Sequence, residues 1–167
     1  MKINLILKLD NEEHAKILRY VLESIKKQST PIDEIFLMNK NDYNIEDSVW
    51  YAKYLQLKIN VCKKYEGKDE LIFFSSSNCL LPVNYITNYL DCLKEKDVIY
   101  TGTTVQAVED YLIFYYPNFH EIEKLYGNNY LRQVSETNTD NYAIYGTPKD
   151  KILSRADLFN IRIYPCN

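Results

Sequence analysis

The fold is decided by one stretch, Leu71-Ile72-Phe73-Phe74-Ser75-Ser76-Ser77-Asn78-Cys79-Leu80-Leu81-Pro82. Leu71 to Phe74 is an unbroken apolar run, as in a strand buried on both faces near the centre of a sheet. Ser75 to Asn78 is a polar cluster of the kind that ends a strand. Pro82 then opens a helix, at a position where its missing N–H costs nothing. Ile86, Tyr89, Leu90 and Leu93 line the inner face of that helix, which is expected to run to about Lys96.

Working outward, the same grammar repeats. Upstream, Ile3 to Leu9 is an apolar run bounded by Asp10-Asn11, which reads as a buried strand. Ile17, Leu18, Val21, Leu22 and Ile25 form one stripe at helical period. Asp10 with Glu13 has capping-box spacing, and the helix is expected to end near Gln28, ahead of Ser29-Thr30-Pro31. Glu34 to Met38 is a second strand, Asn39 to Asp42 a turn, Ile45 to Leu57 a helix and Lys58 to Lys63 an alternating third strand. Tyr65 to Asp69 is a loop, and downstream Val98 to Val105 is a fifth strand. The first 105 residues therefore read β-α-β-α-β-β-α-β, which argues for a mostly parallel sheet with helices on its faces.

The remainder is less regular. A strand is expected at Tyr111 to Tyr116, a short helix at Asn118 to Tyr126 and a polar loop over Gly127 to Asp140. A strand at Tyr142 to Tyr145, a short helix at Lys151 to Leu158 and an edge strand at Ile161 to Tyr164 complete the chain.

Composition bounds the function. A chain of 167 residues suits a single domain, and 46% apolar residues suffice for a core. The net charge of −3, with no Lys/Arg cluster, argues against a nucleic-acid binder. Only 4 glycines are present, and no GxGxxG or GxxxxGK[ST] pattern occurs, so glycine-cradled phosphate loops and a dinucleotide-dependent oxidoreductase are disfavoured. Cys62, Cys79, Cys92 and Cys166 fit no CxxC spacing, and His14 and His120 are too few for a multi-histidine metal site. The first apolar run, about seven residues long, is too short for a signal peptide or a membrane span, so a cytoplasmic location is expected.

Two runs carry a family resemblance. Ser24-Ile25 with Gln28, Pro31 and Asp33-Glu34-Ile35 resembles the S-I-x-x-Q-x-x-P-x-E-I run of family-2 glycosyltransferases. The Leu71–Pro82 stretch resembles that family's apolar strand, DxD motif and L-x-P-x-Y helix start, with Tyr85 near the expected aromatic. Ile6 to Glu12 sits where the family carries a strand ending in Pro-Thr-Tyr-Asn-Glu, and Asp97 to Tyr100 resembles its next strand. The resemblance covers roughly residues 1 to 105, with a weaker echo at Arg155 to Phe159. It implies an α/β fold: a three-layer, Rossmann-like GT-A domain with a mostly parallel central sheet and a less regular C-terminal part. One domain over 1–167 is expected, with a nucleotide-binding-type half at 1–105 and an acceptor-side half at 106–167. A nucleotide-sugar donor, a glycan or protein acceptor and a Mn²⁺ or Mg²⁺ cofactor are what such a family uses.

The departures fall on the chemistry. The family's acidic pair after the second strand is replaced by Asn39 and Lys40. Its DxD aspartates align with Ser75 and Ser77, counting back from Pro82. Hard divalent cations want anionic oxygen ligands, and serine hydroxyls are neutral, so no metal site is expected there. The donor nucleotide is then expected among Asn11, Glu12, Asn39, Lys40, Ser75, Ser77 and Asn78. Lys40 reads either as a cation near a diphosphate or as a solvated turn residue. Ser75 to Asn78 reads either as a ligand contact or as a polar strand cap. Asn11-Glu12 also reads as a plain helix start, and no catalytic base stands out. Two functions follow: a glycosyltransferase whose metal dependence is doubtful, or an inactive relative serving as a structural or protein-interaction module, including self-association.

Overall fold

A computed structural model describes residues 2–67, 70–107, 131–134, 141–148 and 151–162. The strands are β1 (Asn4–Lys8), β2 (Glu34–Met38), β3 (Ile59–Cys62), β4 (Leu71–Ser76), β5 (Cys79–Leu80), β6 (Val98–Ala107), β7 (Leu131–Val134), β8 (Asn141–Tyr145) and β9 (Ile152–Arg162). The helices are α1 (Leu18–Lys26), α2 (Glu46–Tyr54) and α3 (Tyr85–Cys92), and a 3-10 segment covers Glu12–Lys16. The strands form one sheet in the order β3-β2-β1-β4-β8-β6-β9-β5, with β7 paired to β6. Pairing directions set β1 to β4, β6 and β9 running one way and β5, β7 and β8 the other. The sheet is therefore mixed but mostly parallel, as the alternation of elements predicts.

Register explains the burial. Leu5 pairs with Ile35 and Phe73, and Leu7 pairs with Leu37 and Ser75, so these residues share one face. One core cluster joins that face to Leu18, Val21, Leu22 and Ile25 of α1, Ala52 of α2, and Tyr85, Ile86 and Tyr89 of α3. Burying each large apolar side chain contributes about 1.5–3 kcal/mol, so this face holds most of the described core. The chain runs β1 to β2 to β3 in one direction and then returns to place β4 on the other side of β1. That reversal is the switch point where open α/β sheets leave a crevice at the strands' carboxyl ends.

The C-terminal expectations change most. Residues 151–158 are not a short helix, and Ile161 does not begin an edge strand. Ile152–Arg162 is one strand held between β6 and β5. A long parallel partner outweighs weak local helix preference, and such a partner is invisible in a local pattern. The two strands close in on a bulge between Thr101 and Thr103, where a Cβ on Gly102 would overlap the Leu158 carbonyl. β7 falls inside the segment expected to be a loop, β4 runs on through Ser75 and Ser76 of the expected polar cap, and β5 forms between that cap and Pro82.

The expected first helix divides into the 3-10 segment and α1, and Asn11 rather than Asp10 caps it, accepting from Glu13 N–H at 2.9 Å. α3 starts three positions after Pro82, at Tyr85, and ends at Cys92. The strand and helix expected at 111–116 and 118–126, and His120 with them, lie outside the described residues.

Candidate functional site

The two runs behind the family resemblance are joined to each other. Ser24 Oγ donates to the Val21 carbonyl at 2.7 Å and accepts from Leu81 N–H at 3.2 Å. Gln28 Nε2 donates to the Ser24 carbonyl at 3.1 Å and the Pro82 carbonyl at 2.8 Å. Gln28 Oε1 accepts from Ile86 N–H at 3.2 Å, so it satisfies an otherwise orphaned donor in the first turn of α3. Ser29 N–H donates to the Val83 carbonyl at 2.9 Å. This clamp fixes the end of α1 against the start of α3, and with it the strand-end serines between them. Sequence reading names Ser24 and Gln28 only as motif letters; buried polar groups need partners, and their partners are each other's runs.

Alternation along β4 then sorts the serines. Ser75 pairs with Leu7 on the helix face and is buried, its Oγ near only the Ser76 carbonyl at 3.5 Å. Ser77 is fully buried; its N–H donates to the Lys8 carbonyl at 3.0 Å and its Oγ meets His14 Nδ1 at 3.1 Å. Asn78 is also buried, with Oδ1 near Cys79 Sγ at 3.7 Å. Ser76, between them, points to the opposite face, in the same row as Lys8 and Met38.

That row borders a cleft of about 470 Å³ at the carboxyl ends of β1, β2 and β4. Lys8, Leu9, Asp10, Met38, Lys40, Asn41 and Ser76 line it. Of the residues expected around a donor nucleotide, Lys40 lines this cleft. Asn11 is spent as a helix cap and Glu12 is exposed beside it. Asn39 is buried and ties its own loop, donating to the Tyr43 carbonyl at 2.9 Å and accepting from Tyr43 N–H at 3.0 Å. Its role is to hold the Lys40-Asn41 turn in place.

Lys8 is the site residue that the sequence reading passes over. Its Nζ donates to the Tyr142 hydroxyl at 3.0 Å and lies 5.3 and 5.0 Å from the Phe74 and Tyr142 ring centres. Those rings stack with centres 4.6 Å apart, forming a floor under the ammonium. An ammonium has three donors, and this contact uses one. The signal was present: a lysine inside the otherwise apolar Ile3–Leu9 run has to be buried at some cost or put to use.

The donor set does not fit a divalent cation. Ser75 and Ser77 offer neutral oxygens and are buried on the helix face. Among the described residues, Asp10 is the one carboxylate that lines the cleft, together with Lys8 and Lys40. Among the described residues no three His, Cys, Asp or Glu side chains gather. What the cleft offers is positive charge beside hydroxyl and amide donors, which suits an anion. No described helix is long and apolar enough to cross a membrane.

No family model and no curated protein matches the sequence. Solved structures similar to this chain include two crystal structures. The Staphylococcus aureus TarS fragment 1–349 has 15% identity and a TM-score of 0.48 over 65% of this chain, which spans 37% of that one. A mycobacterial protein has 12% identity and a TM-score of 0.56 over 99% of this chain and 68% of its own. The second likeness extends over nearly all of the chain and, at that identity, speaks for the fold alone. With the sheet order and crevice described above, the chain is an α/β domain built on a mostly parallel, Rossmann-like sheet.

Proposed function

We propose that this chain is a glycosyltransferase-like protein whose cleft holds the diphosphate of a nucleotide-sugar with Lys8 and Lys40, in place of a bound metal. The carrying observation is that two lysines and Ser76 line one crevice at the carboxyl ends of parallel strands. The diphosphate's charge is met by two ammonium groups, offset in part by Asp10 on the same cleft, and by the hydroxyl and amide donors beside them. Asn39 and the clamp of Ser24 and Gln28 position this cleft, and Ser75, Ser77 and Asn78 support it from below. Glycosyl transfer to a glycan or protein acceptor is the activity this reading implies.

A second reading, an inactive relative acting as an interaction module, draws on the burial of Ser75 and Ser77, which leaves the aligned DxD positions with structural work alone. One experiment separates them. Thermal unfolding is followed with nucleoside diphosphates and nucleotide-sugars, in chelator and in Mn²⁺. The proposal expects saturable stabilisation that is equal in both, because a ligand of the native state raises stability by mass action. No shift with any nucleotide at millimolar concentration sinks it and favours the module. A shift that requires Mn²⁺ refutes the lysine substitution.

A further inference from the structure

The cleft at the strand ends carries one charge beyond its two lysines. Asp10 lines it beside Lys8 and Lys40 and is exposed. Its carboxylate makes no ion pair or hydrogen bond among the described residues, and the helix cap is made by Asn11 instead. Leu9 N–H donates to the Met38 carbonyl at 3.0 Å, so the ladder between β1 and β2 runs on past Lys8. Lys8 and Asp10 stand on either side of Leu9, with Cα atoms about 7 Å apart in extended chain, and both reach the cleft.

Two ammonium groups and one carboxylate leave the lining with a single net positive charge. That number discriminates among phosphate ligands. A diphosphate capped at both ends, as in a nucleotide-sugar, carries two negative charges. A nucleoside diphosphate carries about three once its terminal phosphate is past its second pKa, near 6, and a triphosphate about four. Two charges match the two lysines. Each further charge finds the lysines already matched and the Asp10 carboxylate within reach. A like charge some 7 Å away in a partly solvated cleft weakens binding roughly three- to tenfold.

We infer that Asp10 is a specificity-determining residue, a charge gate that makes the cleft take diphosphate diesters in preference to nucleoside diphosphates and triphosphates. This rests on the reading of the cleft as a lysine-lined diphosphate site and names the class of diphosphate it selects. The nucleoside diphosphate left after glycosyl transfer carries one charge more than the donor, so the same carboxylate favours its release. A carboxylate that accepts hydrogen bonds from ligand hydroxyls would occupy the same place. The two roles move affinity in opposite directions when the charge is removed, because repulsion is relieved in one case and a charge-assisted hydrogen bond is weakened in the other.

The test is calorimetric titration of the full chain in chelator at about pH 8, above the phosphate pKa, and at low ionic strength, where screening is least. UDP-glucose, UDP and UTP form one series, and GDP-mannose, GDP and GTP a second, on the natural chain and on Asp10→Asn. The natural chain should bind the diester at least as tightly as the diphosphate and triphosphate of its series. Asp10→Asn should tighten the diphosphate roughly three- to tenfold relative to the diester, and the triphosphate further. Asp10 is exposed and caps no helix, and an unchanged thermal midpoint confirms that the variant is folded. Affinity that climbs with ligand charge in the natural chain, or a variant that moves all three forms equally, overturns the gate while leaving the two lysines in place. Weaker diester binding in Asp10→Asn also overturns it and assigns the carboxylate to ligand hydroxyls. Binding of none of the six up to about 10 mM removes the diphosphate site and the gate together.

Discussion

The two sides of the β4 end behave as different materials. On the helix side Ser24, Gln28 and Ser77 are buried, and their polar groups are spent on the chain itself. On the cleft side Asp10, Lys40 and Asn41 face water, and Lys8 sits on an aromatic floor with donors to spare. The difference is one of period: successive residues of a strand point to opposite faces, so Ser75 and Ser76 enter different worlds. It teaches that a motif aligned along the chain divides into a part that packs into the core and a part that faces the cleft.

Substitutions should split the same way. The largest effect belongs to Phe73→Ala, which empties the space against Tyr85 and Tyr89 in the helix-side core. A loss of about 3–5 kcal/mol is expected in denaturant unfolding. Gln28→Ala comes next, at about 1–3 kcal/mol, since it strands the Ile86 N–H and takes a donor from the Ser24 and Pro82 carbonyls. Phe73→Ala should leave nucleotide affinity per folded molecule unchanged, and Gln28→Ala should lower affinity only together with stability; a loss of affinity without a loss of stability in Gln28→Ala would break the division.

Lys40→Ala should do the reverse. It is exposed, so stability should stay within about 0.5 kcal/mol, while nucleoside diphosphate affinity falls about tenfold. Equal affinity in calorimetry would remove Lys40 from the site.

The smallest effect lies at the far end of the sheet and calibrates the others. Burial alone would raise the Glu34 carboxyl, but Lys2 at 3.2 Å and Lys58 at 3.5 Å outweigh it and hold it below its ordinary 4.5. A depressed folded-state pKa means that its stabilisation is complete above the unfolded value and is lost as pH falls through the folded one. Both lysines are exposed, so Glu34→Gln should cost no more than about 1 kcal/mol at neutral pH. Its cost should vanish in acid, as read from thermal midpoints between pH 3 and 7.

The parallel half of the fold was legible because its signals are local. Ile3 to Leu9, the Ile17–Ile25 stripe and Leu71 to Phe74 each carry their own period, and each lies where that period places it. The C-terminal half was less legible because Ile152–Arg162 becomes a strand through a partner some fifty residues earlier, and nothing within the segment says so. Of the residues expected at the site, Lys40 alone lines the cleft at the strand ends. Three consecutive serines, however, hide which one faces out until the register with β1 is known. Lys8 was hidden for the opposite reason: it reads as a blemish in a core strand, and only the Phe74–Tyr142 stack gives it a place.

The most direct test of the lysine-lined cleft is calorimetric titration of a nucleoside diphosphate in chelator, comparing the natural chain with the Lys8→Ala/Lys40→Ala variant. Metal-free binding that weakens on the order of a hundredfold in the double variant, each lysine contributing about tenfold, is the predicted result. Binding that appears only with Mn²⁺, or that is untouched by removing both lysines, would contradict it.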